Sequence, residues 1–165
     1  MRRTFLFVVI AFLVGLGVGY FAHRAHADSS LRQDTHVADF AGIEKLRQQD
    51  IDVTLPQDPK GLIDIFTDDA VRFNPGNPTA VGKQAIAAEN EKFHAQYPGF
   101  KVLSYAPNFK GLQIEDGLAS EWSEADAVFK MSAEAPPTSF HFTALRVMKL
   151  QSDGSWKFVV LIPTQ

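Results

Sequence analysis

The hydrophobic rhythm of this chain changes near Phe100. Before that point, apolar residues recur at helical spacing. Phe40, Ile43, Leu46, Ile51 and Val53 fall within one broad arc at 100° per residue, which predicts a helix from Val37 to Leu55. Pro56 and Pro59 end it, because proline lacks the N–H that a helix needs. "GLIDIF", Gly61 to Phe66, predicts a second short helix whose apolar residues pack on the first. Asp68 and Asp69 are read as the helix end and a turn. A short strand, Ala70 to Phe73, then stops on Asn74-Pro75-Gly76-Asn77-Pro78. Gly82 to Tyr97 predicts a third helix, closed by Pro98-Gly99.

After Phe100 the pattern is that of strands. "KVLSYAPNFKGLQIEDG" leads into a hairpin turn at Glu115-Asp116-Gly117. "LASEWSEADAVFKM" is a long strand, "EAPPTS" a turn, and "FHFTALRVMKL" and "WKFVVLI" flank a last turn at 151–155. Helices first and a long antiparallel sheet after predict an α+β fold, with the helices on one face of the sheet. A curved sheet over three helices leaves a cavity at its open end, and such cavities bind small molecules.

The N-terminus departs from both patterns. Arg2 and Arg3 precede an uncharged run from Thr4 to Ala22, and Ala25-His26-Ala27 forms an Ala-x-Ala site before Asp28. This describes a secretory signal, yet the run is long for a signal and adequate for an anchor. Two expectations stay open: a membrane anchor at residues 4–22 with its basic end inside, which is preferred, or cleavage after Ala27 into the periplasm or medium. Both place residues 28 onward outside the cytoplasm. The chain thus divides into a leader or anchor (1–27), a polar tether (28–36) and one domain (37–165).

Composition narrows the function. The 165 residues suit one domain with a real core. Fourteen Phe against two Trp and three Tyr mean that much of that core is Phe. There is no cysteine, so no disulfide and no thiolate chemistry. Residues 1–27 hold three of the 16 Lys and Arg residues and none of the 19 acidic ones, so the remainder is net −6. That balance, with no basic stripe, argues against nucleic acid as a partner. No spacing of His with acids suggests a metal site, and no cofactor motif is present.

The order helix–helix–"FTDDAVRFNPG"–"GKQAI"–long meander–"DGSWK" resembles the NTF2-like superfamily, in its SnoaL-like, DUF4440 (ketosteroid-isomerase-like) branch. The resemblance covers roughly Ile43 to Leu161. It implies a cone in which a curved antiparallel sheet packs on about three N-terminal helices. Fold alone does not give function in such a superfamily. Steroid isomerisation needs a carboxylate base with a Tyr and a protonated Asp as oxyanion donors. The resemblance puts the base position at Asn74, the Tyr position at Asp50 and the acid donor near Thr143. All three roles are altered, so that mechanism is not expected.

Five residues remain as candidate ligand contacts. Asp50 lies at the edge of the first helix's apolar arc, as either a solvated acid or a pocket carboxylate. Arg72 and Asn74 share a strand face, so the cavity wall takes both or neither. Inside, Asp50 and Arg72 are expected to pair, since a lone buried charge is costly. Trp122 sits mid-strand opposite in parity to Glu121, and His141 alternates with Phe140 and Phe142; parity does not say which face is the cavity side. The expected function is an exported small-molecule-binding or association module, homodimeric through its sheet. The alternative is a SnoaL-type isomerase, cyclase or hydratase-like enzyme using Asp50 or His141 as general acid/base.

Overall fold

The computed structural model describes residues 36–164, and a compact unit begins at Asp39. The leader or anchor at 1–27, and nearly all of the tether at 28–36, lie outside the described residues. Among the described residues no helix is long and apolar enough to cross a membrane.

The first helix, α1, covers residues 36–54. Its buried stripe is Ile43, Leu46 and Arg47, one turn apart, as a helix against a sheet requires. Phe40, placed in that stripe from the sequence, is instead 52% exposed, because the packed face begins one turn later. The helix closes before Pro56, with the Leu55 N–H on Ile51 O and the Asp58 N–H on Val53 O.

The second helix, α2, is a single turn, Gly61–Asp64. It stops earlier than its apolar pattern suggests because strand β1, Phe66–Arg72, starts at once. Phe66 pairs with Phe158, and the register slips between Phe66 and Val71. Asp68 and Asp69 therefore lie within a strand, exposed beside that irregularity, rather than ending a helix.

After the turn come β2 (Ala80–Val81) and α3 (Lys83–Gln96). Four long strands follow: β3 (Lys101–Glu115), β4 (Leu118–Lys130), β5 (Thr138–Leu150) and β6 (Trp156–Thr164). Asp116 and Gly117, both at positive φ, make the two-residue loop between β3 and β4. The six strands form one curved, unclosed sheet in the order β2-β1-β6-β5-β4-β3. All neighbours are antiparallel except β1 and β6. Pro107 fits in β3 because that strand is an edge.

Side-chain size along β4 decides where the molecule is solid and where it is hollow. The buried positions Ala119, Glu121, Ser123, Ala125 and Ala127 alternate along its inner face, and most are small. At the Ala119 end, Met148, Trp156, Phe158, Ile43, Leu46 and Ile86 fill the space and make the core. At the other end Ala127 lines a hollow.

Candidate functional site

At that end a cavity of about 450 Å³ opens between the helices and the sheet. Phe66, Phe93, Phe100, Phe129, Phe140, Phe142 and Phe158 contribute to its wall, with Ala127 and Ala144 on the small-residue strip. Much of the chain's Phe thus lines a hollow rather than filling a core. The rings meet one another, as in Phe93–Phe100 at 4.8 Å and Phe140–Phe142 at 5.9 Å between centroids.

One polar cluster faces this wall. Three separate elements supply it: Asp50 from α1, Tyr105 from β3 and Arg146 from β5. The Tyr105 hydroxyl donates to Asp50 Oδ2 at 3.0 Å. Arg146 Nη2 donates to Tyr105 Oη at 2.8 Å and lies 3.0 Å from the same Asp50 oxygen. Arg146 is only 2% exposed, and its guanidinium lies over the rings of Phe109 and Phe158. Burial pushes the Tyr105 hydroxyl pKa well above its ordinary value, the Asp50 charge adds to this, and Arg146 only partly opposes it. Tyr105 is therefore a neutral donor. Burial works against the Arg146 charge, but Asp50, Tyr105 and Glu121 outweigh it, so the guanidinium stays charged.

Beside this cluster a second ion pair is buried. Arg47 Nε donates to Glu121 Oε2 at 3.0 Å, and Arg47 also reaches Glu44 at 2.8 Å. Glu121 is Cα partner to Arg146 across β4 and β5, so the two pairs adjoin. A mid-strand Glu reads as solvated from sequence; here the concave face buries it to 1% exposure and α1 supplies its partner.

The expected pairing of Asp50 with Arg72 does not occur. Both line the cavity, but each is held by other groups. Arg72 reaches Asn90 Oδ1 at 2.8 Å and Glu89 Oε2 at 2.9 Å on α3, and Asn74 Nδ2 donates to the same Glu89 oxygen at 2.6 Å. Helix α3 packs against β1 and brings Glu89 and Asn90 to Arg72, so its acid takes the arginine. Trp122 and His141 stand on the other face of the sheet, outside the cavity lining. Trp122 is 41% exposed with Lys110 over its ring, and His141 Nδ1 meets Asp126 at 2.8 Å in an exposed position. Among the described residues no group of three or more His, Asp or Glu side chains is placed to hold a metal ion.

Tyr105 and Arg146 escaped the sequence reading. Strand parity carries the missing signal for Arg146, since it shares a face with Phe140, Phe142 and Ala144. Once the Phe face is known to be the cavity face, Arg146 follows and His141 is excluded.

No family model matches this chain, and no curated protein does. Solved structures do match. A ketosteroid isomerase-like protein from Erwinia carotovora atroseptica is similar at 22% identity and TM-score 0.64, over 74% of this chain and 92% of its own. A dehydratase candidate of the NTF2-like family from Streptomyces avermitilis is similar at 12% identity and TM-score 0.61, over 76% and 94%. A Catenulispora acidiphila protein in complex with S-DNPA is similar at 19% identity and TM-score 0.60, over 77% and 94%. At these identities the likeness is one of fold, and the fold is the NTF2-like cone.

Proposed function

Starting from an NTF2-like cone with a hollow end, we propose that this protein is an exported small-molecule-binding module, homodimeric through its sheet and without steroid-isomerase activity. The observation that carries the reading is the cavity of about 450 Å³, mostly apolar and aromatic, with Asp50, Tyr105 and Arg146 at one part of its wall and further polar groups at the end of α1 (Thr54, Gln57) and near α3. Its volume lies within the range of ordinary ligand sites, roughly 300–1,000 Å³. That a protein of similar fold was solved in complex with S-DNPA supports a small-molecule ligand for this chain.

The polar cluster limits the ligand. The Tyr105 proton is committed to Asp50, and the Asp50 charge is matched by Arg146. What the cluster offers is a carboxylate acceptor with its charge already balanced, beside the buried Nε and Nη1 donors of Arg146, which have no partner among the described residues. A neutral hydroxyl donor on a ring-sized apolar body suits it better than a cation. Asn74, at the position of the isomerase base, has an amide that takes up no proton at neutral pH and is bonded to Glu89.

A second reading, acid–base catalysis on such a ligand, is favoured by one observation: a carboxylate and a phenol meet at 3.0 Å beside the cavity. Asp50 is the group that reading retains, since His141 lies outside the cavity. Calorimetric titration of the full chain with naphthalene-2,6-diol tests the binding function. Binding that Asp50→Asn weakens at least about tenfold, an energy ordinary for a hydrogen bond to a charged group, is expected. No binding, or binding indifferent to Asp50→Asn in a folded variant, overturns it. Conversion of the diol or a keto analogue, lost in Asp50→Asn, would favour the second reading.

A further inference from the structure

The cavity has a neighbour. A second hollow, of about 750 Å³, is formed by α3 and the turn after β1. The two share Arg72, Asn74, Asn90 and Phe93, so these four side chains form a partition with a hollow on each side. Three of the four are polar, held by the hydrogen bonds of Arg72 to Asn90 and Glu89 and of Asn74 to Glu89. Neither Arg72 nor Glu89 is fully buried, so water reaches the pair and lowers the cost of rearranging it around a ligand.

The hollows differ in chemistry. The inner one is walled by rings and aliphatic groups, whereas the outer one presents the amides of Asn77 and Gln96 together with the partition's own Asn74 and Asn90. An amide both donates and accepts hydrogen bonds, which matches a hydroxyl group on each count. Tyr97 adds an aromatic face. Charge there is limited: Glu89 answers Arg72, which leaves Lys92, an exposed side chain, as the remaining cation of the lining.

We infer that the ligand is amphipathic: an apolar, ring-sized part occupies the cavity and is joined to a polyhydroxylated group, such as a sugar, in the outer hollow. The link passes the Arg72–Asn90 partition. This rests on the cavity being a small-molecule site, and it names the class of molecule.

The test compares three probes on the full chain by calorimetry: naphthalene-2,6-diol, its mono-β-D-glucoside and its monosulfate. Each conjugate keeps one free hydroxyl for Asp50. The glucoside is expected to bind at least about tenfold more tightly than the diol, an advantage of about 1.4 kcal/mol. Asn77→Ala and Gln96→Ala, which alter only the outer hollow, are expected to erase that advantage while leaving diol affinity unchanged. A glucoside no tighter than the diol overturns the inference and leaves the cavity function standing. So does an advantage that survives both substitutions. A sulfate that binds more tightly than the glucoside overturns the polyhydroxylated class in favour of an anion. Failure of all three probes to bind overturns the inference together with the function it rests on.

Discussion

Arg47 and Glu121 show how the concave face alters the cost of a charge. Each is buried, so removing Arg47 strips Glu121 of its hydrogen-bond partner, and removing Glu121 leaves Arg47 only the exposed Glu44, in a poor solvent for ions. Glu121→Leu alone is expected to destabilise the domain by roughly 3–5 kcal/mol, and adding Arg47→Met should recover much of that loss. Urea unfolding of the two single variants and the double one measures this; additive losses would mean that the pair does not act as a unit. Tyr105 makes a prediction about pH. Its native pKa is raised above the unfolded value near 10, so the native state holds the proton more tightly. Its contribution is complete below the unfolded pKa and is lost as pH rises through the native one. Stability should therefore decline above about pH 10, and more steeply in the wild type than in Tyr105→Phe. Equal slopes in urea titrations at pH 9 to 11 would show that Tyr105 is not held in this way.

At the scale of elements, the seating of α1 on the sheet sets the cavity's depth and delivers Asp50 to Tyr105 and Arg146. Gly42 makes that close approach possible. A Cβ there would lie 2.6 Å from Cδ1 of Trp156, a buried ring at the start of β6 with little room to retreat. Gly42→Ala should therefore destabilise the domain by about 1–3 kcal/mol, although alanine is the better helix former by roughly 1 kcal/mol. A melting temperature unchanged or raised would show that the ring shifts freely. On β3, Gly111 at positive φ sits at a register slip and lets the Trp122 indole lie close on the outer face. The same sheet thus packs differently on its two sides.

For the whole molecule, the outer sheet face supports the proposed dimer. Trp122 pairs with Leu145, and Leu145 with Ile162, which sets a row of apolar side chains across three strands. Trp122 and Leu145 remain more than 40% exposed. Light scattering on residues 28–165 is expected to give a dimer at micromolar concentration, and Leu145→Lys to give a monomer. A wild-type monomer at high concentration would refute the sheet interface. Export is tested on the native protein by fractionation and mass spectrometry. An N-terminus at Asp28 would select cleavage over the anchor, and intact chain in the cytosolic fraction would overturn both.

Local pattern was enough to settle much of this protein. The switch from helical period to alternation, with the Pro, Gly and Asn turns between, determined most of the helices, the meander and hence an α+β fold, because those signals depend on near neighbours in the chain; the cone followed from the family resemblance. The shared face of Arg72 and Asn74 followed from strand parity alone. The start of β1 did not, since Phe66 becomes a strand residue only by pairing with Phe158, far along the chain. The partners of charged groups were also beyond local pattern. Asp50 meets Tyr105 and Arg146 across 55 and 96 positions, and Arg72 takes Glu89 rather than Asp50, because packing sets which side chains share a space. Above all, parity offered two faces of β5 with equal claim, Phe140 with Arg146 or His141 with Thr143. The direction in which the sheet curves chose the first, and with it the chemistry of the cavity.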